Sequence, residues 1–353
     1  MKKIVFTGGG SAGHVIPNIA IIRALQKDPA FDLYYFGTDG IEQGLVAPLK
    51  IPYFTFAPPK LVRGWNPKAI KNNLAIPSRL ATAVRRAEEQ LKNIQPDLVF
   101  SKGGFVALPV VFAAHSLGIP CLTHESDLSL GLANRLMKNK CQRILTAFPE
   151  TANSLKNGLH CGQPIRRELF GVSQQAAKQM LTGGTNRKVL LVFGGGSGSA
   201  PINDAVRKQL PFLSKKFFVL HVCGKNNLLF SRFDNYRQFE FIQDMGAAYA
   251  AADVVVSRSG AGAAFECVAL KKPTVFVPLE GLTRGDQWQN AKYFARRGLC
   301  YVLPQKRLDD LSDTLQKIIE DSQLRENLLK SNFGSGTFAC VHAIRDQLGL
   351  PCS

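Results

Sequence analysis

One pattern occurs twice in this chain, and nothing else in the sequence limits the fold as strongly. Ile4-Val5-Phe6-Thr7 runs directly into Gly8-Gly9-Gly10-Ser11-Ala12-Gly13. About 190 residues later, Val189-Leu190-Leu191-Val192-Phe193 runs into Gly194-Gly195-Gly196-Ser197-Gly198-Ser199. A short apolar run, a glycine-rich turn and a helical pattern form the opening of a Rossmann-like unit, so two copies predict two such domains. The 353 residues suit two domains at roughly 100–200 residues each.

The rest of the chain agrees. Further strands are expected at Leu33–Phe36, Leu98–Ser101, Cys121–His124, Ile144–Phe148, Phe218–Val222, Val254–Ser257 and Thr274–Val277. Helical patterns fall between them, as at Ile16–Gln26, Arg79–Asn93, Ala263–Leu270 and Gln287–Arg297. Strands alternating with helices predict an α/β fold with parallel sheets covered by helices. Continuous apolar strands such as Val254-Val255-Val256 predict burial on both faces. The predicted division is an N-terminal domain over 1–161, a C-terminal domain over 162–335 and a final helix over 336–353 that packs back on the first.

Composition narrows the class. With 45% apolar and 20% charged residues the chain is a folded globular protein. No run of about 18 apolar residues predicts a transmembrane helix. The N-terminus, Lys2-Lys3 and then Ile4-Val5-Phe6, is too short in its apolar part for an export signal. Eight scattered cysteines without C-x-x-C predict reduced thiols, and the six histidines show no zinc spacing.

The net charge of +18 calls for an anionic partner: nucleic acid, an anionic membrane or a phosphorylated substrate. No recognisable nucleic-acid module is present, so none is expected to bind. Between Glu42 and Glu88 there is no acidic residue, while Lys50, Lys60, Arg63, Lys68, Lys71, Arg79, Arg85 and Arg86 fall there. Apolar residues mixed among them, including Trp65, Ile76 and Val84, make this interval the expected membrane-facing surface.

The motifs sit where strands end. Each glycine loop lets backbone approach a ligand while the next helix points free N–H groups at it. Neither loop continues to Gly-Lys-Ser/Thr, which excludes a P-loop. After Leu33–Phe36 come Gly37 and Thr38 rather than an acid, which argues against a nicotinamide-dependent oxidoreductase. His14 opens the first helix and is expected to face the crevice as a hydrogen-bonding group or base. His124-Glu125-Ser126-Asp127 closes another strand, and its polar groups are expected to face the crevice; the alternative is that Ser126 or Asp127 caps the helix that follows. In Arg258-Ser259-Gly260-Ala261-Gly262-Ala263-Ala264-Phe265-Glu266, small residues leave a helix N-terminus open to phosphate, and Glu266 suits a ribose diol.

Taken in order, these motifs resemble the MurG family. The matching stretches are Gly9 to Pro17, Lys102-Gly103-Gly104-Phe105, His124-Glu125, Gly162-Gln163-Pro164-Ile165-Arg166, Gly195-Gly196-Ser197, Asp244-Met245, Arg258 to Ala261, Glu266, and Gln287 with Asn290-Ala291. The resemblance implies a GT-B architecture, two Rossmann-like domains facing across a cleft. It implies an inverting transfer of N-acetylglucosamine from UDP-GlcNAc to the 4-hydroxyl of lipid I, giving lipid II for peptidoglycan and cell-wall biogenesis. Ser11, Ala12, Gly13, Arg166, Ser197, Ile242, Ala261, Gly262, Ala263, Ala264, Phe265, Glu266 and Gln287 are implied around the donor. In that set Ile242 meets the uracil, Glu266 the ribose and Gln287 the sugar. His14, Glu125 and Asp127 are the implied catalytic residues, with His14 the first choice of base. Lys68, Lys71, Arg79 and Phe105 are assigned to the membrane and acceptor side. No Asp-x-Asp motif occurs, so no metal or other cofactor is expected. The implied partners are UDP-GlcNAc, lipid I, an anionic membrane surface at its cytoplasmic face, and other cell-wall synthesis proteins. The chain departs from the usual family pattern at Asp127 (commonly Asn), Ser11-Ala12 (Thr-Gly) and Ser197-Gly198-Ser199 (Ser-Gln-Gly). The alternatives kept open are another GT-B transferase and a UDP-GlcNAc 2-epimerase.

Overall fold

The computed structural model describes residues 1–59, 73–281 and 285–351. The chain divides into two compact units, Met1–Arg166 with Ser335–Ser353, and Arg167–Gly334. Each is built on one parallel sheet.

The first sheet contains β1 (Lys2–Thr7), β2 (Phe31–Gly37), β3 (Tyr53–Thr55), β4 (Leu98–Ser101), β5 (Cys121–Glu125), β6 (Arg143–Thr146) and β7 (Gly158–His160), in the order β3-β2-β1-β4-β5-β6-β7. The second contains β8 (Lys188–Phe193), β9 (Phe217–Val222), β10 (Tyr236–Phe239), β11 (Val254–Ser257), β12 (Thr274–Phe276) and β13 (Tyr301–Val302), in the order β10-β9-β8-β11-β12-β13. The sequence reading located the long central strands. It did not anticipate β3, β7, β10 or β13, which have two to four residues and carry no period long enough to read.

Central strands are apolar on both faces because helices cover both. All residues of β4, β5 and β11 are buried. One face of the first sheet packs on the helix Gly104–Ser116 through Val5, Val99, Val110 and Val111. That helix buries Val106, Ala107, Val110, Val111, Ala113 and Ala114 together. An apolar run of this kind has no amphipathic stripe, and the sequence reading did not assign it. The other face packs on the helix Ile16–Leu25, which in turn is covered by the C-terminal helix Thr337–Gln347. Ile344 and Cys340 are fully buried there beside Ile4, Ile22 and Leu33. Arg345 fixes the same helix by pairing with Asp28 at 2.5 Å and donating from Nε to the Pro351 carbonyl at 2.7 Å. The seven described cysteines are free and buried.

In both sheets the strand order reverses beside the first strand of the unit. In the first unit that is between β1 and β4, where Thr7 lies beside Ser101. In the second it is between β8 and β11, where Phe193 lies beside Ser257. Connections leave such a point in opposite directions and open a crevice at the carboxyl ends of the strands.

Removing the Ile344 side chain tests whether the C-terminal helix belongs to the first core. Ile344→Ala should destabilise the first unit by about 2–5 kcal/mol through lost burial and a cavity. In urea titration its unfolding midpoint should fall; an unchanged midpoint would separate this helix from the core.

Candidate functional site

At the first reversal point, the glycine loop after β1 is held against the start of the helix after β4. His14 ends the short helical turn Ala12–His14 and is half-buried. Its Nδ1 lies 3.0 Å from Ser11 Oγ. Gly104 has φ +80°, and a Cβ there would sit 2.9 Å from the Gly9 carbonyl and 3.2 Å from His14 Nδ1. Glycine is therefore needed for both the left-handed backbone and the close approach to the imidazole. Phe105 closes on the loop from the same side, since a Cβ on Gly10 would meet its ring edge.

Two buried charges flank this loop. Glu42 is fully buried; Oε2 accepts from Gly10 N at 3.3 Å, and Oε1 accepts from Thr38 N at 3.1 Å. It supplies an acid near the end of β2, which the sequence reading missed because it arrives from the helix Ile41–Val46. Lys102, 2% exposed, donates from Nζ to Ser126 Oγ at 2.7 Å, and Ser126 Oγ donates to Gln163 Oε1 at 2.6 Å. Burial lowers the Lys102 pKa, while Glu125 and Asp127 oppose the shift.

Of the two readings of this segment, capping by Ser126 or Asp127 is not what the helix uses. The helix Leu132–Met137 has Gly131 at its N-cap, without a side-chain cap. Glu125 organises the turn instead: its carboxylate accepts from Asp127 N at 3.1 Å, Gly131 N at 2.7 Å and Asn134 Nδ2 at 2.9 Å. Ser126 is drawn to Lys102 and Gln163, and Asp127 is half-buried on the turn.

Desolvation, then the Lys102 charge, pulls His14 down to about 4, against Glu125, a hydrogen bond to the Gly9 backbone and Glu42, which raise it. The imidazole is thus neutral at pH 7, where it can accept a proton.

The second unit repeats the arrangement with different chemistry. Gly198 has φ +76°, and a Cβ there would lie 2.0 Å from the Cys223 carbonyl. Ser197 is exposed on this loop. Opposite it, the helix Ala261–Ala269 starts at Gly260 with no side-chain cap. Ala261 and Ala264 are buried, whereas Gly262, Ala263 and Glu266 are half-buried. This leaves the first backbone N–H groups without intrahelical partners at the crevice. Phe265 faces the core against Phe294, so within this run it is a packing residue. Glu266 Oε2 accepts from Tyr249 OH at 3.0 Å. Tyr249, from the helix Met245–Ala251, is a further site residue that the sequence reading missed. Its pKa is raised well above 10 by burial and by Glu266, so it remains a donor.

Ile242 is buried just before that helix, whose N-cap Asp244 accepts from Ala247 N at 2.9 Å. Gln287 Oε1 accepts from Leu279 N at 3.0 Å, and Ser259 Oγ donates to the Gln287 carbonyl at 2.9 Å. Arg258 is structural: buried, it donates to the Val277 and Pro278 carbonyls and to Ser199 Oγ. Arg166 ends the first unit with its Nε buried and without a hydrogen-bond acceptor.

Of the expected membrane residues, Lys68 and Lys71 lie outside the described residues. Arg79, Arg85 and Arg86 are exposed on the helix Ile76–Ile94, and Leu74 before it is 78% exposed. Val84 packs on the core. Among the described residues no helix is long and apolar enough to cross a membrane.

Known proteins match both units. Residues 4–146 match the glycosyltransferase family 28 N-terminal domain, and residues 189–337 match the glycosyltransferase family 28 C-terminal domain. A protein of Lachnoclostridium phytofermentans named UDP-N-acetylglucosamine–N-acetylmuramyl-(pentapeptide) pyrophosphoryl-undecaprenol N-acetylglucosamine transferase is 42% identical over 317 residues, covering 88% of each chain. A Lachnospira eligens protein of the same name is 40% identical over 357 residues, covering 98% of this chain and 99% of its own. The crystal structure of Acinetobacter baumannii MurG matches with TM-score 0.75 at 24% identity, over 98% of this chain and all of that one.

The His14 environment predicts a titration. Followed by imidazole NMR, His14 should titrate near 4, and Lys102→Met should raise that midpoint by removing a nearby cation. Unfolded imidazole titrates near 6.5. The stability contributed by neutral His14 is therefore complete above that pH and lost as pH falls through the folded value. A folded midpoint near 6.5 would contradict this electrostatic reading.

Proposed function

The chain belongs to glycosyltransferase family 28 and, within it, to the MurG family, and from that membership we propose that it transfers N-acetylglucosamine from UDP-GlcNAc to lipid I, undecaprenyl-diphospho-N-acetylmuramyl-pentapeptide, forming lipid II. The observation that carries the reading is the pair of nucleotide-type reversal points on one chain with unlike side chains: a neutral imidazole in the first unit, an open helix N-terminus with Glu266 in the second.

The second unit is the donor unit in this reading. Ile242 lies against the uracil, and Glu266, oriented by Tyr249, accepts from the ribose hydroxyls. The N–H groups of Ala261, Gly262 and Ala263 meet the diphosphate. Gln287, with its carbonyl oxygen held by Leu279 N, offers its amide N–H to the sugar. Ser197 and the Arg166 Nε are further donors to the anion.

The first unit is the acceptor unit. The acceptor 4-hydroxyl attacks C1 of GlcNAc, its proton passes to His14, and the C1–oxygen bond to the diphosphate breaks with the electron pair leaving on UDP. Configuration at C1 inverts and a β-1,4 link forms. His14 is the base because its ring is neutral and Glu125 is already occupied by three donors of its own turn. Asp127 is the second choice. It replaces the commoner Asn and, when ionised, only accepts hydrogen bonds, so it suits an acceptor hydroxyl rather than a carbonyl. Phe105, Arg79 and the adjoining basic interval serve the lipid side at the cytoplasmic face of the membrane, supported by the exposed Leu74 and arginines.

Purified protein, labelled UDP-GlcNAc and a lipid I analogue should give one GlcNAc per acceptor. Release of free sugar without lipid would favour an epimerase instead. His14→Ala should lower kcat by about 10²–10⁴-fold with donor affinity little changed; a near-normal kcat would remove His14 from the chemistry. Glu266→Ala should weaken UDP binding by about 1–3 kcal/mol in calorimetry, and unchanged affinity would remove it from the ribose. Charge reversal at Lys68, Lys71 and Arg79 should loosen binding to anionic vesicles while sparing transfer to a short-chain acceptor; unchanged sedimentation would place the lipid contact elsewhere.

A further inference from the structure

β9 ends at Val222 and β10 begins at Tyr236, and the connection between them carries apolar side chains that it does not bury. Leu228, Leu229 and Phe230 are 50%, 59% and 88% exposed, with Phe233 at 37%. Single exposed apolar residues are ordinary, whereas three in succession at the tip of one connection form a patch.

Polar contacts hold this tip in place. The side chain of Gln238 brackets Leu229, accepting from its N–H at 3.3 Å and donating to its carbonyl at 2.5 Å. Arg207 donates to the Asn227 carbonyl, and Glu240 accepts from Asn226 N at 2.5 Å. Leu229, Phe230 and Phe233 border a cavity of about 410 Å³ whose other side is formed by Arg207, Leu210 and Tyr236. The backbone is thus fixed by polar contacts while its apolar side chains stay largely open to solvent.

The charge around the tip has one sign. From Ala205 to Phe233 there is no carboxylate, and the interval holds Arg207, Lys208, Lys215, Lys216, Lys225 and Arg232. Lys225 and Arg232 flank the apolar residues on both sides and are exposed. The first carboxylates after it are Asp234 and Glu240, and Glu240 is already engaged by Asn226.

We propose that the Leu228–Phe233 tip enters the headgroup boundary of an anionic bilayer, giving the C-terminal unit its own lipid contact. Apolar side chains that reach the acyl boundary, with cations at headgroup level, are the composition such a contact needs. The one-signed charge and the small size of the patch favour a bilayer over a protein partner. A stable protein interface buries roughly 800 Å² per side on matched surfaces, and four exposed apolar residues on one connection do not offer that. A fluid headgroup layer accommodates them. The proposal goes beyond the transferase reading, which assigns membrane contact to the first unit alone, and its test needs neither donor nor acceptor.

The test uses the full-length protein and two kinds of vesicle, phosphatidylcholine alone and phosphatidylcholine with phosphatidylglycerol. Leu229→Ser combined with Phe230→Ser should lower partition onto the anionic vesicles by about tenfold, since two large apolar side chains are lost. UDP affinity serves as the check on folding and should be unchanged. In a second arm, Phe230→Trp should add indole emission that shifts blue on the anionic vesicles and is quenched by brominated lipid. Equal partition of wild type and double variant, or added indole emission that is indifferent to vesicles, overturns the proposal. So does a wild-type dimer in sedimentation that the double variant abolishes, because a second copy would then be the occupant.

Discussion

A parallel sheet buried on both faces leaves its polar chemistry almost nowhere to gather except the carboxyl edge. Both units of this chain obey that constraint. Val254–Ser257 and Leu98–Ser101 are buried throughout, and chemical variety begins one residue beyond them, at Arg258 and Lys102. The strand order then selects a point along that edge. Where β1 meets β4, and where β8 meets β11, connections diverge and glycine loops fill the gap. The same backbone solution, used twice, gives one chain two sites of unlike chemistry.

The difference lies in what the buried charge supports. In the first unit Glu42 and Lys102 are sealed beneath the loops that carry His14 and Asp127, and both are hydrogen-bonded to the segments they support. A charge removed from water persists only when paired or well hydrogen-bonded. Stripping either one would leave its partners unsatisfied and loosen the loop above. In the second unit the buried charge is Arg258, turned to the Val277 and Pro278 carbonyls and Ser199, and the crevice beside it holds a helix N-terminus and a tyrosine–glutamate pair. One edge thus carries a neutral imidazole above hydrogen-bonded buried charge, the other an uncapped helix N-terminus beside a carboxylate.

Much of this was legible in the sequence, for a physical reason. A central strand and its glycine loop are local: Ile4–Gly13 and Val189–Ser199 contain all that is needed to read them. His14 and Ala261–Glu266 are next to such loops and were located with them. Contacts between distant segments were not readable. Glu42 reaches Gly10 across 32 residues and Tyr249 reaches Glu266 across 17. The three hydrogen bonds Glu125 accepts from the following turn were not readable either, because they depend on how Gly131 and Asn134 fold back on it. Short edge strands and the apolar helix Gly104–Ser116 lacked the periodicity that separates one element from another. The exposed tip at Leu228–Phe230 reads in sequence as an ordinary apolar run, and only its accessibility sets it apart.

The central claim is that nucleotide recognition resides at the reversal point of the second sheet. Hydrogen–deuterium exchange with and without saturating UDP tests it most directly, because the claim concerns backbone N–H groups. Amides of Ala261–Glu266 should exchange more slowly with UDP bound, together with those around Ile242. Saturating UDP that leaves exchange at Ala261–Glu266 unchanged would contradict the account.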